Sequence, residues 1–160
     1  MESMIKKYFP EMGIDIFWYS KKLTQNISSE NNNLISLDET IKKCKKCNLH
    51  KTRQNTVFGE GDPGSNIMII GEAPGREEDE VGRPFVGRAG KLLNEFLKSI
   101  NLNRDSVFIV NTIKCRPPEN RNPEASEISA CSDYLDQQIN IIKPKVLVLL
   151  GKIAANRLLG

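Results

Sequence analysis

The cysteines are the residues whose spacing most directly suggests chemistry. The chain has four, Cys44, Cys47, Cys115 and Cys131, and the first two form the segment CKKC. A C-x-x-C pair can bring two thiolates to one metal or form a redox disulfide. A thioredoxin-type redox motif lies between a strand and a helix, whereas this pair ends a short helical pattern. The two further cysteines favour a four-thiolate site for zinc or an iron–sulfur cluster. The alternative is that Cys115 and Cys131 are ordinary buried cysteines.

Two segments rich in glycine or proline carry the other candidate residues. NTIKCRPPENRNP (111–123) follows an apolar run, and its prolines exclude an ordinary helix or inner strand. It predicts a shaped loop at a strand end, where sites are commonly built. GEAPGREEDEVGRPFVGRAG (71–90) contains neither the G-K-[ST] of a Walker loop nor a G-x-G-x-x-G dinucleotide motif. Its acidic group, residues 77–80, is too negative to bind a phosphate unaided, and its simplest interpretation is a solvated acidic loop.

Phe85 and Asn111 both have plain structural interpretations. A lone aromatic in a glycine-rich loop is usually a small packing anchor, although Phe85 can also be a stacking platform for a base. Asn111 can be a turn or cap residue at the end of a strand.

Three short apolar runs predict the strands that position these segments: NIMII (66–70), VFIV (107–110) and VLVLL (146–150). GEGDPG (59–64) is predicted to be a turn cluster. Strands that alternate with helical patterns indicate a parallel sheet with helices on both faces. Ligand sites in such sheets lie outside the carboxyl ends of the strands. GEAPG and NTIKCRPP are therefore expected at one edge.

Helices are predicted after each strand. One apolar face from residue 89 onward is expected to contain Leu92, Leu93, Phe96, Leu97 and Ile100. The next helix is predicted to start at Asn122, which would be its cap. In that helix Cys131 is expected to face the body of the domain, and a last helix is expected over about 153–159.

The chain is expected to divide into an N-terminal extension and linker (1–35) and one domain (36–160). Residues 24–35 are polar and rich in Asn and Ser, whereas SLDE (36–39) has capping-box spacing, which predicts a helix start. No apolar run is long enough to cross a membrane and no signal peptide is recognisable, so the cytoplasm is the expected location. A net charge of +3 permits a nucleic-acid partner but does not argue for one.

CKKC, GEAPGREEDEVGRPFVGRAG and NTIKCRPPENRNP, in their order and separations, closely resemble the family 4 uracil-DNA glycosylases, the iron–sulfur type. The resemblance covers about residues 44–160. It implies an α/β fold, a three-layer α/β/α sandwich around a four-stranded parallel sheet. It also implies a [4Fe–4S] cluster held by Cys44, Cys47, Cys115 and Cys131. Uracil-containing DNA, single- or double-stranded, would be the partner of a monomeric enzyme that initiates base-excision repair.

The resemblance assigns the pocket residue by residue. Glu72 and Ala73 would border the base, Phe85 would stack on uracil, and Asn111 would read the pyrimidine edge. Uracil offers O4 as an acceptor and N3–H as a donor, and one side-chain amide complements both. Asn111 and Glu72 are the expected catalytic residues. Glu72 is the first candidate for handling water and Glu78 the second, although either could serve only to order the loop.

One feature departs from the family pattern. The family carries a His-Pro-Ser type segment after a fourth strand, and its histidine supports the leaving uracil. Here the single histidine is His50, three residues after Cys47. We therefore expect three strands of the sheet to be present and the fourth to be missing, with activity impaired. The alternatives are a catalytically impaired iron–sulfur DNA-binding module and, from spacing alone, a zinc-stapled interaction domain.

Overall fold

The computed structural model describes residues 23–160, with side chains described from residue 33 onward. This part of the chain contains five α-helices and four strands. The helices are α1 (Leu23–Lys42), α2 (Arg76–Val81), α3 (Arg88–Ser99), α4 (Ala125–Ile142) and α5 (Lys152–Leu159). The strands are β1 (Glu60–Gly61), β2 (Ile67–Gly71), β3 (Phe108–Asn111) and β4 (Val146–Leu149).

The sheet has the order β1-β3-β2-β4. β2 pairs in parallel with both β3 and β4, whereas β1 is antiparallel to β3. The three predicted strands are confirmed within one or two residues. The turn-cluster prediction is wrong at Glu60–Gly61, because these residues form a short strand at the far edge of the sheet. The described sheet thus has a fourth strand that the sequence did not indicate.

Helices cover both faces of the sheet, which confirms the three-layer α/β/α sandwich. On one face, Met68, Ile70 and Val110 pack with Leu135 of α4 and Ala154 of α5, and Leu34 of α1 joins the same cluster. On the other face, Ile69 and Ile109 pack with Leu93 and Leu97 of α3. The continuous apolar strands follow from this arrangement, since successive side chains must be buried on alternate faces.

The predicted linker over residues 24–35 is wrong, because α1 runs through it without interruption. Leu34 and Leu37 are buried in the core, and this tertiary packing outweighs the low helix propensity of an Asn- and Ser-rich segment. The predicted helix start at 36–39 and the division at 35/36 therefore fall inside one helix. Residues 1–22 of the predicted extension lie outside the described residues.

Two helical predictions need correction. The predicted apolar face of α3 is only half buried: Leu93 and Leu97 contact the sheet, while Leu92, Phe96 and Ile100 are exposed. The helix that carries Cys131 starts at Ala125 and is capped at Glu124, not at Asn122. Within residues 23–160, no helix is long and apolar enough to cross a membrane.

Candidate functional site

The carboxyl ends of β2 and β3 hold the two candidate loops together. Gly71 and Asn111 are partners in the parallel ladder. Just beyond them, the Thr112 backbone N–H and hydroxyl both donate to the Gly71 carbonyl, at 2.8 and 2.9 Å. Ile113 N–H donates to the Glu72 carbonyl at 3.2 Å. The expectation that these segments meet at one edge is confirmed.

Asn111 carries a buried side-chain amide with free hydrogen-bonding capacity. The residue is 2% exposed, yet no group within the described residues hydrogen-bonds its side-chain amide. Neither atom of the amide is fully enclosed, so the amide still reaches solvent. A buried amide is costly unless it is satisfied. Asn111 is therefore not acting as a turn or cap residue, and its amide remains free to donate and accept hydrogen bonds.

Phe85 lies beside this amide. A Cβ built on Gly71 would be 2.5 Å from Asn111 Oδ1 and closer still to the Phe85 ring, so both side chains converge on the bare face of this glycine. Phe85 also has φ +52°, in the left-handed region. For a bulky residue this conformation costs roughly 1–3 kcal/mol and persists where surrounding contacts enforce it. Ring and amide together form a small recognition edge.

Glu78 orders the loop that carries Phe85. Its Oε1 accepts the backbone N–H groups of Val86 and Gly87, both at 2.8 Å, and its Oε2 accepts that of Gly75 at 3.1 Å. With both oxygens engaged, this carboxylate holds the backbone on either side of Phe85. Of the two functions that the sequence left open for Glu78, the contacts favour loop ordering.

The solvated acidic loop predicted at 77–80 is wrong. These residues belong to α2, and Asp79 is 1% exposed. Its carboxylate accepts the backbone N–H groups of Gln54 and Asn55 at 3.0 to 3.2 Å. Asp79 of the acidic group is therefore a buried structural residue that holds the segment after Cys47 in place.

Glu72 and Ala73 lie between the recognition edge and the cysteines. Glu72 is partly buried, and burial raises the pKa of its carboxyl group. No hydrogen bond or ion pair engages this carboxyl within the described part of the chain. Ala73 is partly buried and packs against the cluster that contains Cys115 and Cys131. Glu72 is thus a partly buried carboxyl next to this edge whose oxygens have no partner among the described residues.

All four cysteines converge on one cavity. Cys44, Cys47, Cys115 and Cys131 line it together, which excludes the interpretation of two unrelated buried cysteines. Arg53 Nη1 donates to Cys115 Sγ at 3.0 Å, and Lys46 N–H donates to Cys44 Sγ at 3.5 Å. Among the described residues, no three His, Cys, Asp or Glu side chains are grouped closely enough to hold a single ion.

Burial opposes ionisation of the Cys115 and Cys131 thiols. Burial raises the pKa of Cys115 to about 11, although the hydrogen bond from Arg53 acts in the opposite direction. Burial also raises the pKa of Cys131, against the influence of Lys114. Metal ligation requires thiolates and therefore releases protons here. Two cations, Arg53 and Lys114, are in place to compensate that negative charge.

Lys114 is a functional candidate that the sequence analysis missed. It is 1% exposed, it lines the cysteine cavity, and its Nζ donates to the Asn111 carbonyl at 2.7 Å. Burial lowers its pKa to about 8, while the Cys131 and Cys115 sulfurs act in the opposite direction. The signal that could have indicated it is a lysine between the apolar Ile113 and the candidate ligand Cys115.

A groove of mixed charge opens beside the recognition edge. Three arginines, Arg76, Arg88 and Arg116, line it together with Glu77 and Glu78. Arg116 Nε donates to Asn120 Oδ1 at 2.7 Å, which fixes one of these side chains. The groove is open to solvent, and its three arginines slightly outnumber its two glutamates. His50, by contrast, lines the cysteine cavity, with Nδ1 2.7 Å from the Cys47 carbonyl oxygen.

Comparison with known proteins identifies the protein family that shares this fold and the loops at the carboxyl ends of β2 and β3. Residues 58–160, which include both loops and every strand, match the model of the uracil DNA glycosylase superfamily. The chain belongs to this superfamily.

Its relatives give a finer placement. The chain is 58% identical over 120 residues to a type-4 uracil-DNA glycosylase of Sulfurisphaera tokodaii, an alignment that covers 74% of this chain and 54% of that one. It is 54% identical over 126 residues to a type-4 uracil-DNA glycosylase of Pyrobaculum aerophilum, covering 79% and 64%. A type-5 uracil-DNA glycosylase of Thermus thermophilus is 31% identical over 119 residues, covering 65% and 54%. The chain thus spans between about half and two thirds of the length of these relatives.

Proposed function

We propose that the chain removes uracil from DNA by hydrolysing the N-glycosidic bond, the step that initiates base-excision repair. The observation that carries this proposal is the buried, unpartnered amide of Asn111 beside the Phe85 ring. The names of the type-4 relatives support the same substrate.

Selectivity would come from the direction of the hydrogen bonds. Asn111 Nδ2 would donate to uracil O4, and Oδ1 would accept from N3–H. Cytosine presents the opposite pattern and would leave the amide mispaired, which carries a large penalty in a buried site. Phe85 would stack on the flipped base.

The reaction needs a water near C1′ and a stabilised uracil anion. Glu72 is the proposed water-handling residue, because its carboxyl is uncommitted and its raised pKa reflects partial burial at this edge. Glu78 is the weaker candidate, because its oxygens already accept three backbone N–H groups. The backbone around Ala73 would border the base.

The direct test is uracil release from a labelled oligonucleotide that carries one uracil, with a thymine-containing strand as control. Release from the first substrate alone is the expected result. The alternative is a catalytically impaired iron–sulfur DNA-binding module that holds uracil but does not cleave. Selective binding without release would support that candidate and contradict the first.

We further propose that Cys44, Cys47, Cys115 and Cys131 hold a [4Fe–4S] cluster. The support is that four cysteine sulfurs line one cavity, with Arg53 and Lys114 beside them to offset the charge of thiolates. Bound there, the cluster would supply a cross-link between the segment after α1, the loop after β3, and helix α4.

The partner would be uracil-containing DNA, either single- or double-stranded, with its backbone along the groove of Arg76, Arg88 and Arg116. Each lost phosphate contact weakens DNA binding and reduces its salt dependence. A monomer in the cytoplasm is the proposed state and location of the protein.

Phe85→Ala should weaken recognition of uracil by roughly 1–3 kcal/mol, the usual cost of losing one stacked base. The loss should appear in binding of uracil-containing DNA and not in binding of the undamaged strand. Phe96→Ala is the matched control, because Phe96 is exposed on α3. Equal discrimination by Phe85→Ala and the parent protein would place the base elsewhere.

Gly71→Ala should block the recognition edge. The added methyl would overlap the Phe85 ring and lie 2.5 Å from Asn111 Oδ1, so both must move. We expect the rate of uracil release to fall on the order of 10²-fold, as for other small misplacements of reacting groups. Gly64→Ala is the control, because its Cβ would meet nothing closer than 3.4 Å. Retained activity in Gly71→Ala would argue against this edge as the pocket.

A further inference from the structure

The Arg104 side chain is buried against the loop that carries Phe85. Arg104 lies in the single turn just before β3, and its side chain is 19% exposed. Nη2 donates to the Pro84 carbonyl at 2.6 Å, and Nη1 donates to the Phe85 carbonyl at 3.1 Å. Nη1 also donates to Asn94 Oδ1 of α3 at 3.0 Å. One guanidinium thus joins two consecutive loop carbonyls to a helix.

Glu60 anchors this guanidinium from the opposite side. Its carboxylate accepts Arg104 Nε at 2.5 Å and also forms an ion pair with Arg104 Nη2, so four hydrogen bonds and one further ion-pair contact hold the guanidinium. Burial alone would raise the pKa of Glu60, but hydrogen bonds from Arg83 and Arg104 outweigh it and lower the pKa. Arg83 approaches the same carboxylate from solvent, with its side chain 61% exposed, and touches neither loop carbonyl.

The loop needs such an anchor because Phe85 is strained. Its φ of +52° is rarely adopted by a bulky residue. Glu78 holds the two N–H groups that follow Phe85, at Val86 and Gly87. Arg104 holds the Pro84 carbonyl, which precedes Phe85, and the carbonyl of Phe85 itself. The backbone at Phe85 is therefore fixed from both directions, and no contact of Arg104 reaches the recognition edge itself.

We propose that Arg104, anchored by Glu60, is the positioning residue that sets the Phe85 ring over Gly71 for stacking on the target base. The contacts above support the positioning of the ring, and the stacking on a base rests on the proposed function. A lysine cannot replace this arginine, because an ammonium lacks the planar fork that reaches two carbonyls and a carboxylate together.

The experiment compares Arg104→Gln, Glu60→Gln and the control Arg83→Gln in two readouts. The first is ¹⁹F NMR of protein labelled with fluorophenylalanine, in which the Phe85 signal is assigned by its loss in Phe85→Leu. The second is the affinity for an oligonucleotide with one 2′-fluoroarabino-uridine, which resists cleavage, relative to the same strand with thymidine. Arg104→Gln is also combined with Phe85→Ala in a double-mutant cycle.

We expect the Phe85 signal to shift or broaden in Arg104→Gln and Glu60→Gln but not in Arg83→Gln. The preference for uridine should fall about 10-fold in the first two variants and stay constant in the third. In the Phe85→Ala background, Arg104→Gln should cause no further loss. If Arg104→Gln does not fold, the same readouts are compared between Glu60→Gln and Arg83→Gln.

The outcomes separate the two claims. An unchanged Phe85 signal, or losses that add fully in the cycle, would overturn the positioning assignment. A parent protein without any preference for uridine would overturn the proposed function, and a moved signal in Arg104→Gln would still establish the positioning of the ring.

Discussion

Asn111→Asp is expected to lower the rate of uracil release on the order of 10²–10³-fold, the usual cost of losing one preorganised donor at a reacting group. A carboxylate would face uracil O4, an acceptor, and the two would repel. A protonated carboxyl could instead donate to cytosine N3 and accept from N4–H. The variant should therefore gain slow cytosine release, increasing as the pH falls. Single-turnover release from uracil- and cytosine-containing strands measures both effects.

Asn66→Asp is the matched control for that change. Asn66 precedes β2 at the amino end of the sheet and its side chain is exposed, so the same substitution there should leave release intact. Folding of both variants is checked by thermal unfolding. Undiminished uracil release by folded Asn111→Asp would show that the amide does not read the base.

The parts of the site that the sequence could predict are those fixed by neighbours along the chain. Three continuous apolar runs defined the strands, and Gly71 and Asn111 were placed at one edge because they end two of those runs. The resemblance to the family 4 uracil-DNA glycosylases implied that Cys115 and the CKKC pair share one site. Topology and motif order were sufficient for these features.

The parts that it could not predict depend on contacts between distant segments. Glu78 looked like one member of an acidic run, yet its carboxylate holds Val86 and Gly87. Arg104 lies 44 residues from Glu60 and 20 from Pro84, and nothing in its local sequence distinguishes it from a surface arginine. The first part of helix α1, residues 24–35, has the composition of a linker, because burial of Leu34 and Leu37 rather than propensity stabilises this helix.

Cys131→Ser is expected to remove the metal and much of the stability together. The parent protein, purified without oxygen, should be brown and contain about four irons per chain, as for Cys₄ ligation of a [4Fe–4S] cluster. The four cysteines tie together segments that are far apart in the chain, and a chain-entropy estimate for such a cross-link is about 4 kcal/mol. We expect iron to be lost and the free energy of unfolding to fall by about that amount, as measured by iron analysis and denaturant titration.

The iron-free parent protein separates the two possible causes of that loss. Cys131 is buried in a cluster with Leu37, Ile113 and Tyr134, so a serine also removes some packing. If the cluster provides the stability, the iron-free parent should itself lose most of it, and Cys131→Ser should lie below the iron-free parent by no more than the roughly 0.5–3 kcal/mol of an ordinary single substitution. A large difference between them would assign the effect to packing. Stoichiometric zinc without iron in the parent would contradict the iron–sulfur proposal, because four thiolates that selected zinc would form a closed structural site instead.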